Sequence, residues 1–259
     1  MKRIAIVEDE KDIRENYVDL MTKHGYQVEA YANRLDAISA FELRLPDLAI
    51  IDIGLGDEYD GGFLLCQALR QLSVSVPIIF LTARDNDFDT ISGLRLGADD
   101  YLTKDIGLEH LMVRISALFR RIDVLKQPIQ QSNIIQRGAL TIDSDRMQIS
   151  WQGNILDFTI TEFWIVYALA NRAGIVRNRQ QLMSDANMVV DDNTITSHVK
   201  RIRKKLVKLD ANFNEICAVY GMGYRWDVSE VNHSEIPNTE TKDTEINNTD
   251  LNNTALKSK

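Results

Sequence analysis

Leu48-Ala49-Ile50-Ile51 is an unbroken apolar run that ends on the carboxylate of Asp52. A strand without polar alternation is buried on both faces, the pattern of a parallel sheet covered by helices on each side. Ligands of open α/β sheets bind just outside the carboxyl ends of the strands, so Asp52 stands where such folds do their chemistry. Three more apolar runs of the first half end on polar residues: Ile4-Ala5-Ile6-Val7 on Glu8-Asp9, Ile78-Ile79-Phe80-Leu81 on Thr82, and Tyr101-Leu102-Thr103 on Lys104. In a parallel sheet these ends share one rim, where three carboxylates, a hydroxyl and an ammonium converge. Clustered carboxylates repel, and a hard divalent cation with oxygen ligands relieves the repulsion, so Mg²⁺ is the expected cofactor. The set suits phosphoryl transfer, with Asp52 as nucleophile, a metal, and Thr82 and Lys104 as donors to the phosphoryl oxygens. Any one of these residues alone reads more readily as a turn former, a cap or a surface charge. Their coincidence at four strand ends carries the functional reading.

Between the strands, residues from about Glu10 to His24 have helical spacing and stop at Gly25; Tyr26 to Tyr31 is a strand, and Leu35 to Leu45 a helix closed by Pro46. Further helices are expected at Phe63 to Leu72, Asp87 to Leu96 and Leu108 to Arg121. Alternating β and α units predict a doubly wound, five-stranded parallel sheet over residues 1–122. Glu8-Asp9, Asp52, Thr82 and Tyr101-x-x-Lys104, at these spacings, resemble the receiver domain of bacterial two-component response regulators, a flavodoxin-like fold.

Charge separates the two halves of the chain. Residues 1–122 hold 14 Lys and Arg against 21 Asp and Glu, whereas 134–228 hold 12 against 10, so only the second half is suited to a polyanion. No run approaches the ~18 consecutive apolar residues of a membrane span, and no apolar signal region precedes the first strand, so a cytoplasmic location without membrane contact is expected. Cys66 and Cys217 lack metal-ligand neighbours and read as reduced, mostly buried thiols.

Periodicity fails over residues 123–133, which read as a linker. Beyond it, Ala139 to Ile142, Met147 to Trp151 and Ile155 to Phe158 predict a small antiparallel sheet. Thr159-Ile160-Thr161-Glu162 is a capping box that opens a helix through Ala170, and another helix begins near Asn178. From about Asp192 to Leu209, Ile195, Val199, Ile202 and Leu206 form a narrow apolar stripe, while Lys200, Arg201, Arg203, Lys204, Lys205 and Lys208 supply only positive charge. The arc of Thr196, Ser197, Lys200, Arg201 and Lys204 has the donors needed to enter a major groove. Two apolar strands around Gly221 and Gly223 follow. Residues 229–259 are too polar to bury a core and are expected to be disordered.

Thr159-x-x-Glu162-Phe163, Ile195-x-x-His198-Val199-x-Arg201-x-Arg203-Lys204-Lys205-Leu206 and Tyr220-Gly221-x-Gly223-Tyr224-Arg225 resemble the winged-helix effector domain of OmpR/PhoB-type regulators over residues 134–228, an α+β fold. The resemblance implies a transcription regulator phosphorylated on Asp52 by a partner histidine kinase. Glu8, Asp9, Asp52 and the Gly54 backbone carbonyl would hold Mg²⁺, Thr82 and Lys104 would sense the phosphoryl group, and Tyr101 would swing inward. His198, Arg203, Tyr220 and Arg225 would join the arc above on DNA. The phosphorylated protein would dimerise through Leu94, with Asp100 facing Arg114 and Asp99 facing Arg121 across the subunits, and bind direct-repeat half-sites; RNA polymerase is a further implied partner.

Several positions depart from the family pattern. Asp105 replaces the usual proline after Lys104, so strain or a changed loop is expected there. Thr90 and His110 replace one dimer ion pair, and Tyr220 stands where relatives carry a wing arginine. The Lys104-Asp105 pair and the Gly54-Leu55-Gly56 loop are similar to the regulators of proteobacterial dedicated sortase systems. A Mg²⁺ phosphohydrolase would need a second Asp two residues after Asp52; Gly54 occupies that position, so the chain is not expected to be an enzyme.

Overall fold

The computed structural model describes residues 1–83, 93–94, 96–125, 134–185 and 192–227, with the backbone alone at 121, 124, 125, 185, 192 and 193. The expected tail from 229 onward, most of the expected linker, Thr90, and most of the expected helix at 87–96 lie outside the described residues.

Strand β3 (Leu48–Ile51) is central in a five-stranded parallel sheet of order β2-β1-β3-β4-β5, with β1 at Arg3–Val7, β2 at Gln27–Tyr31, β4 at Ile78–Thr82 and β5 at Asp100–Thr103. All four residues of β3 are buried, as its unalternated apolar run requires. Helices α1 (Lys11–Lys23), α2 (Arg34–Leu43), α3 (Gly61–Leu72) and α4 (Leu108–Leu125) connect and cover the strands. One apolar layer joins Ile4, Ile6 and Ile50 to Met21 and Leu111; the other joins Ala5, Val7 and Ile51 to Phe41, Leu65 and Phe80. Helix α4 runs on through Leu125, past the expected end at Arg121, because Leu118, Phe119 and Ile122 keep the apolar stripe going.

The second half begins with a four-stranded antiparallel sheet, β6 (Ile134–Arg137), β7 (Leu140–Asp143), β8 (Gln148–Trp151) and β9 (Asn154–Leu156), in that spatial order. Strand β6 is absent from the sequence reading: Ile134-Ile135-Gln136-Arg137 sets its two apolar residues side by side, without the apolar–polar alternation that marks a strand. Helices α5 (Ile160–Asn171), α6 (Arg179–Asp185) and α7 (Asp192–Leu209) follow, then the hairpin β10 (Ile216–Val219) and β11 (Gly223–Trp226). The capping box forms in full, with Thr159 Oγ1 accepting from the Glu162 amide and Glu162 Oε2 accepting from the Thr159 amide. Ile195, Val199, Ile202 and Leu206 of α7 are buried with Phe163, Ile165 and Trp226. Gly223 has φ 134°, and a Cβ there would stand 2.0 Å from the Arg177 carbonyl oxygen; β11 can therefore pair with residue 177 only as glycine. No helix among the described residues is long and apolar enough to cross a membrane.

Candidate functional site

Strand ends of β1 and β3 bring Glu8, Asp9 and Asp52 together, with one oxygen of each within 4.8 Å of the others. Glu8 and Asp52 are buried, at 2% and 8% exposure, so their mutual repulsion is felt in a low-dielectric setting. The Lys104 ammonium relieves it, lying 2.7 Å from Asp52 Oδ2 and 2.8 Å from Glu8 Oε2. Burial is the main cause that pushes the Glu8 carboxyl up to about 6, and the Asp52 charge adds to it against the opposing pull of Lys104. For Lys104, burial works to lower the ammonium, but its bonds to Asp52 and Glu8 prevail and raise it. Three hard oxygen donors at the mouth of a strand fit Mg²⁺, which takes carboxylates together with backbone carbonyl and water oxygens. Gly54 lies two residues beyond Asp52, on the same loop.

Lys104 keeps its aim despite Asp105. No described peptide bond is cis. The turn instead closes by Thr103 Oγ1 donating to Asp105 Oδ1, with the Ile106 amide donating to the Thr103 carbonyl at 3.0 Å. Thr82 is buried at the end of β4, beside Thr103 in register, and its carbonyl accepts from the Lys104 amide at 2.7 Å. Tyr101 is already inside, 6% exposed, its ring 6.3 Å from that of Phe80.

The loop after Asp52 depends on a residue that the sequence reading missed as a site element. Gly62, in the first turn of α3, donates its amide to the Ile53 carbonyl at 2.8 Å, and a Cβ on it would lie 2.0 Å from the Asp52 carbonyl oxygen. Helix α3 can approach the end of the Asp52 strand this closely only at a glycine. Arg34 grips the same loop through two bonds to Glu58, at 2.6 and 3.0 Å. Glycine pairs such as Gly61-Gly62 are the sequence signal for this contact; Arg34 carries none.

The expected dimer face is engaged inside the chain. Asp100 accepts from its own Arg114 at 3.1 Å, with α4 lying beside β5. Asp99 is 1% exposed and accepts from Arg70 at 2.9 Å and the Ile78 amide at 3.0 Å; its other oxygen accepts from the Thr161 amide of α5 at 3.2 Å. Burial works to raise this carboxyl, but Arg70 and the amide donors hold it below the ordinary carboxylate range. The Leu94 side chain is fully buried in the receiver core with Phe80 and Tyr101 rather than displayed on the surface. The Arg121 side chain lies outside the described residues.

Helix α7 divides its expected DNA-contacting residues. Lys200 and Lys204 are exposed, and Tyr220 at the hairpin tip is fully so. Thr196 is half-buried and accepts from the Tyr224 hydroxyl at 3.4 Å. Ser197, His198 and Arg201 are buried, at 7%, 0% and 8% exposure, which the expectation of an open arc did not foresee. Arg201 donates to the Leu94 and Ala98 carbonyls of the receiver and, at 2.8 Å, to Glu162. His198 Nε2 donates to the Asp99 carbonyl at 3.3 Å, leaving Nδ1 without a hydrogen-bond partner. Burial, reinforced by Arg201, pushes its imidazole down to about 4. Glu162, fully buried, takes Arg201 on one oxygen and Lys205, at 2.6 Å, on the other. Arg203 is spent on the hairpin, donating to the Ile216 carbonyl at 2.6 and 3.1 Å, and Arg225 lies 3.9 Å from Asp227. Arg70, Thr161 and Glu162 thus complete a contact between α7 and the receiver that the sequence reading did not contain.

Comparison with known proteins agrees with both halves of this description. The response regulator receiver domain family matches residues 4–116, and the family of C-terminal domains of transcriptional regulatory proteins matches residues 153–226. The transcriptional regulatory protein BaeR of Escherichia coli is 35% identical over 228 residues, covering 87% of this chain and 92% of its own. CreB, a transcriptional regulatory protein also from Escherichia coli, is 34% identical over 225 residues, covering 85% and 96%. A solved structure of a RitR mutant superposes with a TM-score of 0.68 at 22% identity, over 87% of this chain and 99% of that one, a likeness of fold. Relatives that are transcriptional regulators, a receiver half with its acidic rim and a winged-helix half with its basic helix leave one conclusion: the chain belongs to the OmpR/PhoB-type response regulators of two-component systems.

Proposed function

We propose that Asp52 accepts a phosphoryl group from the phosphohistidine of a partner kinase and that this opens the chain for dimerisation and sequence-specific DNA binding. The observation that carries this reading is the convergence of Glu8, Asp9 and Asp52 within 4.8 Å, with the Lys104 ammonium on two of them. An Asp52 carboxylate oxygen attacks phosphorus, the oxygen–phosphorus bond forms as the nitrogen–phosphorus bond breaks, and the imidazole leaves with the electron pair. Glu8, Asp9, Asp52 and the Gly54 carbonyl would hold Mg²⁺, which would supply charge neutralisation for the transferring group. Lys104 lets go of the free carboxylate pair to bind a phosphoryl oxygen, and Thr82 donates its hydroxyl to another.

The face of α7 that carries His198 and Arg201 lies against the receiver, so DNA binding through this face requires the contact to open. In the closed contact Asp99 accepts from the Thr161 amide on Oδ1 and from His198 on its backbone carbonyl, so opening releases Oδ1 for a subunit partner while Oδ2 stays with Arg70 and the Ile78 amide. The open protein then dimerises and places two winged helices on direct-repeat half-sites about one helical turn apart. Lys200, Lys204 and Tyr220, already exposed, make the first contacts. Residues 1–122 and 134–228 act as the two functional domains of a cytoplasmic protein, with RNA polymerase as a further partner.

A mass measurement tests the central step. Acetyl phosphate with Mg²⁺ should add one phosphoryl mass to the wild-type chain and none to Asp52→Asn. Persistence of the adduct in that variant would place the chemistry elsewhere.

A further inference from the structure

We propose that the cleft between α7 and the receiver binds a compact polyphosphate anion, either inorganic triphosphate or the phosphate chain of a nucleoside polyphosphate, and that the bound anion holds the chain closed. The cleft measures about 330 Å³, at the small end of the range for ligand pockets. Arg70 and the apolar Val74 and Leu96 form its receiver wall; Arg201, Lys204, Lys205 and Lys208 of α7 form the other, with Asp157 at the edge.

Charge accounts for the choice of ligand. Arg70 is matched by Asp99, but Arg201 and Lys205 share the single carboxylate of Glu162. Lys204 and Lys208, one helical turn apart on the exposed side of α7, make no ion pair among the described residues. Among the described residues, five cations therefore meet three carboxylates, those of Asp99, Asp157 and Glu162, an excess of two positive charges. Burial lowers the Lys205 ammonium, and repulsion from Arg201 and Arg70 adds to this against the attraction of Glu162, in keeping with an excess positive potential. Phosphates suit such a site because each presents several acceptor oxygens to ammonium and guanidinium donors.

The receiver wall separates this ligand from DNA. A duplex needs α7 bare, whereas a compact anion fits between α7 and Val74, Leu96 and Arg70. An anion that binds only the closed chain shifts the closed-to-open equilibrium toward closure by mass action. It would therefore oppose the phosphorylation-driven opening and DNA binding proposed above, and this consequence alone rests on that reading.

The test is calorimetric titration of the unphosphorylated full-length chain, at constant ionic strength and without divalent metal, with inorganic triphosphate, ATP and sulfate. One anion per chain is expected, with sulfate about tenfold weaker or more. Tighter binding of ATP than of triphosphate identifies a nucleotide as the natural source, and equal binding identifies the phosphate chain alone. Val74→Glu should weaken triphosphate about tenfold or more, and Val74→Arg at the same half-exposed position should strengthen it. Triphosphate binding that is unmoved by either substitution would show that the anion rides on α7 in the open chain and would overturn the proposal, as would no binding at millimolar concentration. In a second arm, triphosphate should weaken DNA binding by the wild type more than by Val74→Glu. A chain that never binds DNA would sink the functional reading, while the calorimetric arm would still decide this one.

Discussion

Acidification should open the contact between α7 and the receiver, with His198 as the sensor. The imidazole is fully buried between the Asp99 carbonyl and Arg201, and burial pushes it from its ordinary 6.5 down to about 4. A folded-state value below the unfolded one means that the open form binds more protons as pH falls through the window from 6.5 to about 4, so closure weakens over that window. Of the charged groups facing His198, Arg201 opposes its protonation, and Asp99 and Glu162 are held below the carboxylate range and stay ionised. From pH about 7.5 to about 5, the two imidazole values shift the closed-to-open ratio by about 30-fold, or ~2 kcal/mol. The Thr161 amide donates to Asp99 across the contact, so its hydrogen-exchange protection reports the ratio directly. Its protection factor, corrected for intrinsic exchange, should fall about 30-fold over this pH range in the unphosphorylated chain. In His198→Gln, whose amide can still donate to the Asp99 carbonyl, the fall should be about threefold or less. An equal fall in both proteins would refute the assignment, as would a His198 resonance that titrates near its ordinary value while the Thr161 amide stays protected.

Other substitutions probe the remaining contacts. Gly62→Ala, which in an ordinary helix interior would stabilise, should cost ~1–3 kcal/mol in urea unfolding, because its Cβ meets the Asp52 backbone, and should slow phosphorylation by acetyl phosphate. Asp100→Asn should cost ~1–3 kcal/mol by leaving Arg114 unpaired near the core, with partial recovery when Arg114→Leu is added. Sedimentation of phosphorylated Asp100→Arg, alone and with Arg114→Asp, tests whether the pair re-forms between subunits: loss and partial rescue of the dimer are expected, and full dimerisation of the single variant would exclude it. Lys200→Ala should weaken DNA binding across sequences and reduce its salt slope by about one, and an unchanged slope would remove Lys200 from the phosphate contacts.

Whatever depends on short-range pattern was legible in the chain. The unalternated run before Asp52 implied a strand buried on both faces, and the polar residues closing the neighbouring runs implied a shared rim, because parallel strands end on one side. Thr159 and Glu162 announced the start of α5, and the stripe of Ile195, Val199, Ile202 and Leu206 announced the buried face of α7, since capping and helical period span only a few residues. Gly62 and β6 were less visible. A close backbone approach leaves no mark beyond a glycine, and Ile134-Ile135-Gln136-Arg137 does not alternate apolar with polar residues as a recognisable strand does. Only the tertiary structure decided what Arg201, His198 and Asp99 do. Arg201 donates to a carbonyl 103 residues away at Ala98, and His198 to one 99 residues away at Asp99, separations over which periodicity carries no information. A basic residue on an amphipathic helix has the same sequence signature whether it faces a groove, water or a carbonyl of another domain; the docking of α7 on the receiver selects among them by burying Arg201 and leaving Lys200 exposed.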